Sequence, residues 1–167
     1  MSLNSNPFIN GSENKHGAPS FNEIKPEHFI PAIEHAINKA ENILETVKNN
    51  SETPTFENTV LTMETCTELL DTVSTTYFNL MGAESDNKFK ELAQEISPKL
   101  SAFSNKVLLD SKLFSRVKYL FEQIEDGDFT SEQQRLISEK YIDFTLNGAL
   151  LNDDDKEKVR KIDEELS

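Results

Sequence analysis

The chain has 167 residues, with 17 Lys and Arg against 30 Asp and Glu, and a net charge of −13. That length suits one full core rather than two domains. So acidic a balance disfavours binding by bulk attraction to nucleic acid phosphates or to an anionic membrane. Trp is absent, Gly is scarce and no apolar run reaches the roughly 18 residues of a membrane span, which favours a helical protein without transmembrane segments. The opening MSLNSNPFINGSENKHG has no apolar segment, so no signal peptide is present as written and a cytoplasmic location is expected. A leader already removed would leave the same sequence. The single Cys66 cannot close an internal disulfide, in keeping with a reducing compartment.

Residues 1–25 are polar, carry Pro7, Gly11, Gly17 and Pro19, and read as an extended arm. Pro26-Glu27-His28-Phe29 reads as a short turn, because Pro31 disfavours helix in the residue before it. Pro31 then opens a first long helix to about Asn49, with Ile33, Ala36, Ile37, Ala40, Leu44 and Val47 on one face. Thr53 to Ala83 is the stretch everything else must pack against. There Phe56, Val60, Met63, Cys66, Leu70, Val73, Tyr77 and Leu80 recur every three or four residues. Thr53 or Thr55 suits its start, Pro54 its first turn and Gly82 its end.

Asp86 starts a third helix, with Phe89, Leu92, Ala93, Ile96, Leu100, Phe103 and Val107 in phase. Pro98 removes a donor inside it, so a kink or break is expected near Glu95–Pro98; the unbroken apolar phase favours a kink. Asp110 or Ser111 caps a fourth helix, carrying Phe114, Val117, Phe121 and Ile124, and Asp126-Gly127-Asp128 is a turn. Thr130 with Gln133 forms a capping box for a fifth, ending near Asn147-Gly148. Asn152 caps a sixth, whose Asp153, Asp154 and Asp155 suit its positive end. Val159, Ile162 and Leu166 keep its phase, and the pattern is still running at Ser167. The expected fold is all-α: about six largely antiparallel amphipathic helices over 26–167, the last one truncated, in a fragment of a longer protein.

Chemistry is harder to find. A zinc-peptidase helix needs two His four apart with a Glu beside the first. Of His16, His28 and His35, the last two are seven apart, about 10.5 Å along a helix axis, too far to share a metal. Cys66 falls on the apolar stripe and reads as an inert core thiol. Asn10 and Asn49 open Asn-x-Ser tripeptides that mean nothing without a secretory signal. The Asp126–Asp128 turn fails as a calcium loop, since Gly stands second and Ile137 occupies the twelfth place. Asp153–Asp155 are explained by helix capping. No glycine-rich phosphate loop occurs. No catalytic or metal-ligating residue is assigned, and the substrate-binding residues are unknown.

Several strings taken together nevertheless resemble the N-terminal region of the thimet oligopeptidase family, with bacterial peptidyl-dipeptidases nearest and oligopeptidase A next. They are Asn6-Pro7-Phe8, Pro26-Glu27-His28-Phe29 with Pro31-Ala32, Pro54-Thr55-Phe56-Glu57-Asn58-Thr59 and Phe78-Asn79-Leu80, then Leu113-Phe114 with Arg116-Val117, Gly148-Ala149 and Glu165-Leu166-Ser167. The resemblance implies a zinc metallopeptidase that acts on short peptides, and for a peptidyl-dipeptidase the release of C-terminal dipeptides. In that family zinc sits on an H-E-x-x-H helix far downstream, absent from this chain, so zinc is expected in the parent enzyme and no cofactor in this segment. The implied partners are the catalytic half of the same polypeptide and short peptides, with this segment walling a deep channel. Tyr77, Phe78 and Asn79 read equally as channel or as core. Faces meant for the catalytic half would be bare, so self-association or a labile fold is expected. The alternative is a self-contained acidic helical interaction module without enzymatic activity. The reading frame after Ser167 separates the two: a further apolar stripe leading to H-E-x-x-H supports the first, a stop codon the second.

Overall fold

The computed structural model describes residues 5–10, 14, 17–84 and 87–166, and every regular element among them is helical. A 3₁₀ turn, Pro26–His28, leads directly into α1, Phe29–Lys48. α1 thus begins two residues before Pro31. The expected boundary was too cautious, because a first-turn residue has no intrahelical N–H bond to lose and Pro31 costs nothing there.

The central helix is not one rod. Thr55 caps a π-helical turn, Phe56–Leu61, leaving Pro54 outside the helix. A short α2, Thr62–Thr65, stops at Cys66, and α3 runs from Glu68 to Glu84. Thr62 donates to the Glu57 carbonyl at 2.7 Å and Thr65 to that of Leu61 at 2.9 Å. The Thr62 bond, reaching five residues back, matches the wide turn. Apolar spacing alone carries no sign of this. Six of the eight stripe residues are buried, with Phe56 and Leu80 half-buried. Gly82 lies within α3 and does not cap it.

α4 spans Asn87–Leu108 and continues through Pro98 without a break, the outcome the unbroken apolar phase favours. Its expected start, Asp86, lies outside the described residues. Asp110 caps α5, Ser111–Glu122, accepting from the N–H groups of Lys112 and Leu113 at 2.8 and 3.0 Å. α6, Ser131–Leu146, opens on the expected Thr130–Gln133 capping box. It closes with a two-bond C-cap: Ala149 N–H donates to Phe144 O at 2.9 Å and Gly148 N–H to Thr145 O at 3.3 Å. Gly148 has φ +94°, a conformation only glycine adopts freely, and a side chain there would also meet Leu151. α7, Asp153–Leu166, begins at Asn152, whose side chain accepts from Asp155 N–H at 2.9 Å.

The chain divides into two compact units. The first comprises Met1–Ala40 and Thr67–Ser97; the second comprises Glu41–Cys66 and Pro98–Ser167. The first is built around Phe29, whose ring lies 5.2, 5.3 and 5.9 Å from those of Phe8, Tyr77 and Phe89. Buried Ala32, Ile33, Ala36, Val73 and Ile96 complete this core. The stretch read as a polar arm carries two buried side chains: Asn6 donates to the His28 carbonyl at 2.8 Å, and Phe8 packs on Phe29.

The second unit has an aliphatic centre of Val60, Leu120 and Ile137, ringed by Phe56, Phe121 and Phe129 among others. Beside it, the Phe121 and Tyr141 rings stack at 4.0 Å and Phe114 stacks between Tyr141 and Phe144.

Candidate functional site

The residues singled out from sequence do not assemble into a reactive centre. His28 is buried in the turn before α1, and its Nδ1 accepts the Lys25 N–H at 3.1 Å, so it closes that turn. His35 is half-buried on α1, and His16 lies outside the described residues. Among the described residues no three His, Cys, Asp or Glu side chains converge on a point a metal could occupy. Cys66 is buried, with its thiol 3.1 Å from the Met63 carbonyl. Asp126 and Asp128 are exposed in a turn closed by Gly127 N–H to Gln123 O at 2.8 Å. Asp155 accepts from Lys158 and from Asn152, at 2.7 and 2.9 Å, which holds its carboxyl below the usual range. Asn10 and Asn49 are exposed. Tyr77 is fully buried and donates to the Phe89 carbonyl, while Phe78 and Asn79 are exposed.

The most elaborate polar arrangement is centred on Arg116 of α5. Its guanidinium is buried and donates to four acceptors: Thr59 Oγ1 at 3.2 Å, the Asn50 and Glu52 carbonyls at 2.9 and 3.2 Å, and Asn58 Oδ1 at 2.9 Å. Burial pulls its pKa below the usual guanidinium value, opposed by the nearby Glu52 carboxylate. Asn58 in turn accepts from Thr55 N–H at 2.8 Å and donates to the Thr53 carbonyl at 3.0 Å. The planar fork of Arg suits such a set of fixed acceptors; an ammonium could not reach them all. A second staple is Lys156 of α7, buried, donating to the Leu109 carbonyl at 3.1 Å and Ser111 Oγ at 2.8 Å.

Neither staple was found from sequence. The signal was present at Arg116, which stands in phase between Leu113 and Leu120 on an apolar stripe, where a cation needs buried partners. Lys156 is likewise three residues before Val159. The second unit also carries open grooves. One of about 440 Å³ runs along Ser101, Asn105, Lys106, Arg160 and Glu164, and its cations hold carboxylates: Lys106 with Glu41 at 2.8 Å and Arg160 with Glu157 at 3.3 Å. Another, about 290 Å³, lies beside the Arg116-bound loop and is lined by Phe56, Tyr119 and Phe129 among others.

The first unit is held by an aromatic cluster and the second by two buried polar staples. The strings that suggested a family are wired together within these units. Asn6 and Phe8 meet His28 and Phe29, while Arg116 grips the Pro54–Thr59 string.

Comparison with known proteins identifies the family. Residues 33–156 match the neurolysin/thimet oligopeptidase N-terminal domain, and the chain belongs to that family. It is 29% identical over 163 residues to a dipeptidyl carboxypeptidase of Salmonella typhimurium, covering 98% of this chain and 24% of the relative. It is 29% identical over 162 residues to that of Escherichia coli, covering 97% and 24%. Oligopeptidase A of Haemophilus influenzae is 28% identical over 163 residues, covering 98% and 23%. The chain thus spans about a quarter of the length of the curated relatives it matches.

Proposed function

We propose that this chain is the N-terminal helical domain of a zinc-dependent peptidase that hydrolyses short peptides in the cytoplasm, releasing C-terminal dipeptides. Its own part is to wall the substrate channel rather than to catalyse. The match of residues 33–156 to the family's N-terminal domain carries this reading. The order of the relatives, dipeptidyl carboxypeptidase before oligopeptidase A, favours dipeptide release. Zinc and the residues that hold it belong to the remainder of the parent, so no step of the reaction is assigned to this chain.

Within this reading Phe78 and Asn79 are the side chains offered to the peptide. Most of the other apolar members of the shared strings are packed, whereas Phe78 is 41% exposed. An exposed ring beside a side-chain amide suits an extended peptide, the ring taking apolar side chains and the amide the backbone.

The test is made on the full-length parent. Chelator-sensitive release of C-terminal dipeptides from short peptides, with folded proteins spared, is the expected result. Phe78→Ala should raise KM several-fold for peptides with apolar residues and leave kcat nearly unchanged. A parent without peptidase activity overturns the functional reading; an active parent with an unmoved KM removes Phe78 from the channel.

A further inference from the structure

The last two helices carry apolar residues where a helix with a single neighbour would be polar. On α6 the buried residues are Ile137 and Phe144. Ile142 and Leu146 lie close to half a turn round the helix from them, 49% and 80% exposed. On α7 Lys156 is buried and Val159 half-buried, while Ile162 and Leu166, three and seven residues beyond Val159, are 55% and 81% exposed. Leu150 and Leu151, in the connection between these helices, are exposed as well. α6 thus has a second apolar side facing outward, and the apolar stripe of α7 runs from half-buried Val159 out to exposed Ile162 and Leu166. Unpartnered apolar pairs at i,i+4 spacing on two consecutive helices are what a helix-on-helix contact requires.

We propose that these outer faces of α6 and α7 are the docking surface for the catalytic remainder of the parent peptidase, an inference that rests on the functional reading above. The occupant follows from length and charge. The family model is an N-terminal domain, and the relatives are about four times as long as the segment this chain matches, so most of such a polypeptide lies outside the described unit. A second copy is a poor occupant. Each copy carries a net −13, which opposes the approach of a second one, and Asp163, Glu164 and Glu165 add to it beside Leu166, although Lys158, Arg160 and Lys161 precede Ile162. An anionic lipid surface is opposed by the same charges and by the net −13.

The experiment is carbene footprinting of the 167-residue chain, at a concentration where sedimentation shows a monomer, beside the full-length parent assayed for peptidase activity. Labelling of Ile142, Leu146, Ile162 and Leu166 is expected to fall several-fold in the parent. An active parent labelled as strongly as the chain overturns the docking surface and leaves the functional reading standing. An inactive parent with these residues protected does the reverse. A chain found dimeric, with the same four side chains protected, makes a second copy the occupant and overturns the proposal.

Discussion

The two units solve the same problem, holding helices together, by different chemistry. In the first, Phe8, Phe29, Tyr77 and Phe89 form one aromatic cluster with a single buried phenol hydrogen bond. In the second, cations do much of the tying: Arg116 holds the 50–59 stretch and Lys156 anchors α7 to the junction of α4 and α5. A ring cluster tolerates the loss of any one polar partner but not of a ring. A staple tolerates volume changes nearby but leaves several acceptors orphaned when its donors go.

Substitutions at the two centres should expose that contrast. Phe29→Ala removes the ring shared by three others and is expected to cost about 3–5 kcal/mol in urea unfolding; a loss under about 1 kcal/mol would show that the cluster repacks freely. Arg116→Met keeps the apolar stem and deletes the fork, for an expected loss of about 2–4 kcal/mol. Arg116→Lys should recover only part of that, since charge without the planar fork cannot serve all four acceptors.

Tyr77→Phe should cost about 1–2 kcal/mol at neutral pH by leaving the Phe89 carbonyl unpaired. It should also change the alkaline limb. Burial raises the Tyr77 phenol above its ordinary value of about 10, so the folded state keeps a proton that the unfolded chain releases. Stability is therefore complete below the ordinary phenol value and falls as pH climbs from there towards the raised folded value. The Phe variant lacks this dependence, and its melting temperature should fall less steeply above pH ~10 than that of the unsubstituted chain. The smallest effect is a cap: Thr130→Ala should cost about 1 kcal/mol, mostly as fraying of the first turn of α6 seen by hydrogen exchange.

The same contrast explains what the sequence made legible. Helices whose ends are written in side-chain chemistry were readable to within a residue: Asp110 before α5, Thr130 with Gln133 before α6, and Asn152 before α7. The first unit's Tyr77 and Phe89 fell where the helical period placed them, while Phe29, read as turn, opens α1. Three features did not follow from period or propensity. The wide turn at Phe56–Leu61 and the interruption at Cys66 lie under an apolar stripe that crosses both unaltered. The burial of Asn6 and Phe8 depends on long-range partners, His28 and Phe29, that no local pattern names. Arg116 and Lys156 stand in apolar phase and are buried, but the acceptors that hold them are distant in sequence. The family strings turned out to mark such long-range ties, as the Arg116 clasp on Asn58 and Thr59 shows.

The claim on which the account rests is that this chain is scaffold and its catalytic chemistry lies elsewhere in the parent. Equilibrium dialysis against zinc, followed by assay of short-peptide hydrolysis, tests it on the 167-residue chain alone. No stoichiometric zinc and no chelator-sensitive hydrolysis are expected. One tightly held zinc per chain, together with dipeptide release that a chelator abolishes, would contradict it.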